Sequence, residues 1–287
     1  MPFLYEADLL YCPANFCPLL PTRKPIVLTL RNANYFGPGR QAAASSQFRK
    51  KVEILLARAC VHRADSIVAV SNSLKQDVVL DGFAKEKIRV ILSGVPEWPE
   101  SEEIPAGMQE RADFFLSLAN DYPTKRLDDL VKAWGLAFES NPLPSQMVLV
   151  GEMHGNRRDE QLQIVHPSLR NSLIHLGSIS NRSQVKWLLR RARAMISASE
   201  LESFGLTLVE AGVLGCPAIV TDIPAHREVG SVHVRFFPVG GLRDLADAML
   251  DVRPRALTDN KSRWSWCSWD ENASRLGDVF DQLLCIA

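Results

Sequence analysis

The chemistry-bearing residues cluster in one segment, Glu200-Leu-Glu-Ser-Phe-Gly-Leu-Thr-Leu-Val-Glu-Ala-Gly-Val-Leu-Gly-Cys-Pro-Ala-Ile-Val-Thr-Asp222, where seven residues separate Glu202 from Glu210. Two carboxylates beside a glycine turn are acceptors for a hydroxyl-rich group such as a ribose or a sugar. The segment reads as a strand ending near Ser199, a turn containing Gly205, a helix over 206–214 stopped by Gly215, and a further strand led in by Pro217. Gly205 lets a phosphate approach the backbone, and the free N–H groups of a helix start favour an anion. Ser203, Phe204, Leu206 and Thr207 line this turn and helix start.

A second segment, Phe114-Phe-Leu-Ser-Leu-Ala-Asn-Asp-Tyr-Pro-Thr-Lys-Arg-Leu-Asp-Asp-Leu-Val-Lys-Ala-Trp134, reads as strand, loop and helix, with Lys125 just before a helix expected to start near Arg126. An ammonium there pairs as a mobile point charge with a diphosphate oxygen. Both segments need the carboxyl edge of a parallel sheet, where open α/β sheets bind ligands.

That sheet is readable in the apolar runs at 26–30, 66–70, 88–92, 114–118, 147–150, 194–197 and 218–221, which alternate with amphipathic stretches. Continuous apolar strands between helices mean parallel sheets covered on both faces, the α/β class of Rossmann-like units. Helices are expected over Gln41–Arg63, after the N-cap candidate Ser71, and from Asn181-Arg-Ser-Gln to Arg190-Arg191. The proline- and acid-rich stretch 94–107 is the expected linker.

With 287 residues and 33 basic against 33 acidic side chains, no global field argues for nucleic acid. The six cysteines form no C-x-x-C pair, so neither a zinc site nor a disulfide framework is expected. No apolar run reaches the roughly 20 residues of a membrane span, and the first 20 residues lack a secretory pattern, so a cytoplasmic location is expected. His154 and His226 read as surface or structural residues, and Cys216 as packing.

The Glu202 to Glu210 segment, with Ser-Phe-Gly-Leu inside it and Glu-Ala-Gly-Val-Leu-Gly-Cys-Pro following, resembles the E-x7-E motif of retaining GT-B glycosyltransferases of group 1, also called family 4. The resemblance implies that Glu202 meets the donor sugar and Glu210 the ribose. It implies that Lys125 binds the leaving diphosphate; the family's Arg five residues earlier is here Asn120, with Arg126 as a partial substitute. Leu149-Val-Gly-Glu152, which supplies Gly151, resembles the second strand of the nucleotide domain. Ile174-His-Leu-Gly-Ser-Ile-Ser180 resembles the segment that reads the base, through Ser178 and Ile179. Trp269-Asp-Glu-Asn-Ala-Ser-Arg-Leu276 resembles the terminal helix that crosses back to the first domain. Residues 8–20 and 26–34 resemble later strands of the acceptor domain, with Arg31 where many relatives have His and Asn32 beside it.

The expected fold is α/β and GT-B-like, with two Rossmann-like doubly wound parallel-sheet domains, the N-terminal one incomplete: 1–100 on the acceptor side, 108–262 for the nucleotide sugar, and 263–287 as the returning helix. The implied reaction moves a sugar, such as a hexosyl group, from a nucleotide-diphosphate donor to a glycan or lipid-linked glycan hydroxyl with retention. Glu202, Lys125 and Arg31 form the implied catalytic set, with no metal and no cofactor beyond the donor substrate. Arg31, Arg40, Arg49, Lys50, Lys51, Arg58 and Arg63 against the single acid Glu53 make a basic stretch suited to peripheral contact with anionic lipid, although a solvated helix face explains it as well. A competing reading is a non-catalytic nucleotide-sugar-binding subunit, or half of a split enzyme whose first domain is completed by a partner chain or self-association. A nicotinamide dehydrogenase is disfavoured by the lack of G-x-G-x-x-G, and a nucleic-acid module by the lack of a basic domain.

Overall fold

The computed structural model describes residues 7–39, 48–95, 97–140, 145–230, 233–252 and 267–285. The chain divides into two compact units, one of Met1–Pro96, Leu201–Gly205 and Trp266–Ala287, the other of Glu97–Glu200 and Leu206–Ser265. Each is built on a wholly parallel sheet, with helices on most of the connections, the α/β class expected.

In the first unit, β1 (Leu10–Cys12), β2 (Ile26–Leu30), β3 (Ser66–Ala69) and β4 (Ile88–Val90) lie side by side in chain order. All five residues of β2 are buried, as a run without polar alternation requires when both faces are covered. Helix α1 (Phe48–Arg63) occupies part of the helix expected from Gln41; Arg40 and residues 41–47 lie outside the described residues. It turns Ile54, Ala57, Cys60 and Val61 inward, yet Phe48 and Leu55 remain 82% and 68% exposed. Helix α2 (Asn72–Leu80) starts where Ser71 Oγ accepts the Leu74 N–H at 2.9 Å, the N-cap read from the sequence.

The second unit holds β5 (Phe114–Leu118), β6 (Gln146–Val150), β7 (Leu173–Gly177), β8 (Ala194–Ser197), β9 (Ala218–Thr221) and β10 (Val234–Phe237), ordered β10-β9-β8-β5-β6-β7. The helices are α3 (Leu127–Ser140), α4 (Arg157–Ile164), α5 (Arg182–Arg191), α6 (Leu206–Val213), α7 (Pro224–Val229) and α8 (Leu242–Asp251). Leu130, Val131, Trp134 and Ala137, at helical spacing along α3, share one core with Phe115 and Met147 of the sheet and Leu245, Ala248 and Met249 of α8. Trp134 is fully buried, and truncating such a side chain typically costs about 3–5 kcal/mol.

The stretch expected as a linker holds the step from the first unit to the second, between Pro96 and Glu97, and its later part is tied to α5. Lys186 Nζ donates to Pro99 O at 2.6 Å and Glu100 O at 2.9 Å, Glu102 pairs with Arg190 and Arg191, and Glu103 accepts from Asn181 and Gln184. Its acids answer the basic face of α5, which composition alone does not place beside it. Helix α9 (Trp269–Leu284) belongs to the first unit, where Val279, Leu276 and Phe280 pack with Val27 and Val68 of the sheet. No helix among the described residues is long and apolar enough to cross a membrane.

Candidate active site

The second sheet reverses direction between β5 and β8: the chain winds outward through β6 and β7, then returns to lay β8 on the other side of β5. Loops diverge at such a switch point and leave a crevice at the carboxyl edge. The β5 loop carries Asn120, Lys125 and Arg126. The β8 loop runs into the Glu202 to Glu210 segment.

The β5 loop is pinned at several points within the unit. Asp121 N donates to Glu152 O at 2.9 Å, and Asn120 Oδ1 accepts the Glu152 N–H at 2.9 Å. Glu200 N donates to Thr124 O at 2.9 Å, joining the ends of β5 and β8. Arg157 ties Asp121 and Asp128 together at 2.7 and 2.6 Å, contacts that raise its already high pKa, Asp121 foremost. Pro123–Lys125 forms one tight turn, and Arg126 at φ 49° bends the chain into α3.

Lys125 is half-buried in this turn. Arg126 is engaged elsewhere: its guanidinium meets Glu200 at 3.0 Å and Asp129 at 2.5 Å, and the hydrogen bond to Glu200 followed by that to Asp129 raises its pKa. Asn120 bridges two strand ends, and this bond fixes its amide orientation. Gly151, at φ 148°, sits so close to the β5 loop that a Cβ there would lie 2.1 Å from Ala119 O. Its N–H donates to Gly177 O at 2.9 Å, so the ends of β5, β6 and β7 are laced together. Ser178 is exposed and Ile179 half-buried in the loop that follows, which ends at Asn181, the N-cap of α5.

Gly205 takes φ 89°, a conformation costly for other residues, and α6 starts at the next residue with Leu206 and Thr207. Glu210 lies on the buried face of α6, only 6% exposed, and Arg182 Nη1 donates to its Oε1 at 2.7 Å. A buried carboxylate needs such a partner, because an unpaired charge away from water is costly. Arg182 in turn lies against the Trp98 ring, 3.8 Å from its centroid.

In the first unit the turn Leu201–Gly205 lies against the loop after β2. Ser203 Oγ accepts the Ala33 N–H at 2.9 Å, and the Ser71 hydroxyl donates to Ser203 O. Phe204 is buried and Glu202 half-buried. Arg31 is exposed; its Nε donates to Pro13 O at 3.0 Å, and its guanidinium lies 5.9 Å from the Trp269 ring centroid. Asn15, buried at φ 50°, accepts the N–H groups of both Arg31 and Asn32 through Oδ1. The unit thus brings the Arg31 loop and the Glu202 turn together.

Sequence reasoning missed Arg182, Trp98 and Asn15. Arg182 stood in the open, in the Asn181-Arg-Ser-Gln stretch expected to start a helix. Trp98 was the lone aromatic ring in the acidic stretch. Asn15 is a residue type that tolerates a left-handed backbone.

The family model described as glycosyl transferases group 1 matches residues 100–252, more than half of the 287 residues, and the model described as Glycosyltransferase Family 4 matches residues 5–97. The chain belongs to the group 1 glycosyltransferases. The chain is 34% identical over 119 residues, 39% of its length and 14% of the relative's, to the serotype-specific mannosyltransferase WbdA of Escherichia coli. It is 25% identical over 178 residues, 61% of its length and 47% of the relative's, to the O-antigen chain mannosyltransferase RfbU of Salmonella typhimurium. The chain therefore spans less than half the length of either curated relative. The structure of HepE from Anabaena in complex with UDP and glucose superposes with a TM-score of 0.70 at 18% identity, covering 90% of this chain and 72% of that one, a likeness of fold.

Proposed function

We propose that this glycosyltransferase moves a sugar from a nucleotide-diphosphate donor to an acceptor hydroxyl with retention at the anomeric carbon. The observation that carries the reading is the emergence of the Lys125 loop and the E-x7-E segment from the two strands that flank the switch point of the six-stranded sheet. Charge grows on the leaving diphosphate as the sugar departs, so a cation fixed there and helix-start amides stabilise the transition state more than the ground state. Lys125 supplies the cation and the start of α6 the amides. Glu210 accepts from the ribose, Glu202 from the donor sugar, Gly151 gives the diphosphate room, and the backbone at Ser178 and Ile179 reads the base. Arg31 adds positive charge on the acceptor side.

The two curated relatives support a mannosyl donor and a growing polysaccharide as acceptor. The outward face of α1 supports peripheral contact with anionic lipid: exposed Phe48, Val52, Leu55 and Leu56 recur at helical spacing beside Arg49, Lys50 and Lys51.

The deciding experiment screens UDP, GDP and their sugars, mannose and glucose donors included, for a rise in unfolding midpoint, then follows transfer with the best donor and reads the product anomer by NMR. A bound donor and retained configuration are expected, and Lys125→Ala should lower kcat by about 100-fold or more. An inverted product sinks the retaining mechanism, and turnover within twofold of wild type sinks the role of Lys125.

A further inference from the structure

We propose that Arg182 is a positioning residue that holds Glu210 for the ribose of the donor; the inference rests on the donor reading above. Arg182 opens α5 directly after the loop of Ser178 and Ile179, and its Nη1 reaches across to Glu210 on α6 at 2.7 Å. The guanidinium therefore links the base-side loop to the ribose-side helix.

The rest of the guanidinium has little else to do. Its Nε and Nη2 are buried without a hydrogen-bond partner among the described residues, and so is Nε1 of Trp98, the ring against which it lies. An arginine kept for stability alone uses its Nε and Nη2 fork, because unpaired buried donors are costly and a well-packed apolar residue of similar size is usually no worse than a buried ion pair. Here the fork is left idle, while the one paired edge and the flat face are both committed to the path from Trp98 to Glu210. Two fixed contacts leave the guanidinium few alternative positions. With Oε1 of Glu210 engaged by Arg182, Oε2 is left to accept the ribose hydroxyls. Trp98 comes from the acidic stretch docked on α5, so this stretch supports the donor site as well as the fold.

Arg182 touches neither phosphate nor base in this scheme. Its loss therefore weakens recognition of the ribose hydroxyls specifically. The probes are UDP and 2′,3′-dideoxy-UDP, with GDP and its dideoxy form in parallel, titrated calorimetrically into the whole protein. Hydrogen bonds to a charged acceptor contribute about 1.5–3 kcal/mol, so wild type should prefer the ribose form by about 10-fold or more. Arg182→Met should bind both forms within about threefold of each other, and Arg182→Lys, a point charge without the planar stack, should fall between. A preference that survives unchanged in either variant overturns the role of Arg182 while leaving the donor site standing. A wild-type protein that binds both forms equally overturns the ribose reading itself, and the inference with it. Should Arg182→Met fail to fold, Arg182→Lys and Trp98→Ala carry the test, a reduced preference supporting the proposal and an undiminished one refuting it.

Discussion

Adding one methyl group at Gly151 should damage the second unit more than any change of similar size nearby. A Cβ built there lies 2.1 Å from Ala119 O, 2.5 Å from Ala119 C and 2.9 Å from Asn120 N. The obstructing atoms are backbone, so no side chain can swing away. Overpacking of this kind costs about 1–3 kcal/mol, and holding a non-glycine residue at φ 148° adds about 1–3 kcal/mol. The sum, about 2–6 kcal/mol, converts to a fall of about 5–20 °C in the unfolding midpoint of a domain this size. The natural control is Gly135→Ala, because Gly135 lies within α3 and a Cβ there meets nothing within 4 Å. Relieving backbone entropy in a helix contributes about 0.5–1 kcal/mol, so this variant should unfold a few degrees higher. Calorimetry of the three proteins, resolving the two units where their transitions separate, checks both signs. A Gly151→Ala protein within one degree of wild type, or a Gly135→Ala protein lowered as far, would refute the packing argument. The clash also pushes on Ala119 and Asn120, where the Lys125 loop starts, so nucleotide affinity should fall together with stability.

Two further outcomes are expected. His175 is partly buried on β7, its Nε2 2.9 Å from Gln161 Oε1, and burial foremost, with Arg158 second, lowers its pKa to about 4. The folded state thus holds the ring neutral, and the stability it contributes is complete above the unfolded pKa near 6.5 and is lost as pH falls toward 4. The midpoint difference between wild type and His175→Gln should shrink between pH 7 and pH 5, and a difference that grows on acidification would contradict the assignment. Sedimentation with vesicles of anionic lipid should pull down wild type but not Phe48→Ser/Leu55→Ser, and equal binding to neutral vesicles would remove the charge argument for α1.

What the sequence made legible follows the physics of each element. The central strands β2, β3, β5, β6, β8 and β9 are covered on both faces, so they stand out as unbroken apolar runs. Strands β7 and β10 lie at the two edges of the second sheet and carry His175 and Arg235, and periodicity did not separate them from loops. The cap at Ser71 was legible because an N-cap joins one side chain to the next few N–H groups.

The candidate site was legible where a motif spans contiguous residues and opaque where it depends on a partner from elsewhere. In the sequence, Glu202 and Glu210 are two carboxylates on either side of a glycine turn. The fold makes them unequal: Glu202 stays half-buried in a turn, whereas Glu210 is buried and held by a cation 28 positions away. Arg126 shows the reverse. Adjacent to Lys125, it read as a second cation for the diphosphate, but Glu200 and Asp129 engage its guanidinium at 3.0 and 2.5 Å. An arginine with two carboxylate partners must give up at least one to take a phosphate. On the donor reading proposed above, stabilisation of the leaving group would then rest more on Lys125 and the amides of α6 than on Arg126. In Lys125→Ala the transfer rate should therefore drop further than in Arg126→Ala, whose main effect should be a looser β5 loop, visible as a lower unfolding midpoint.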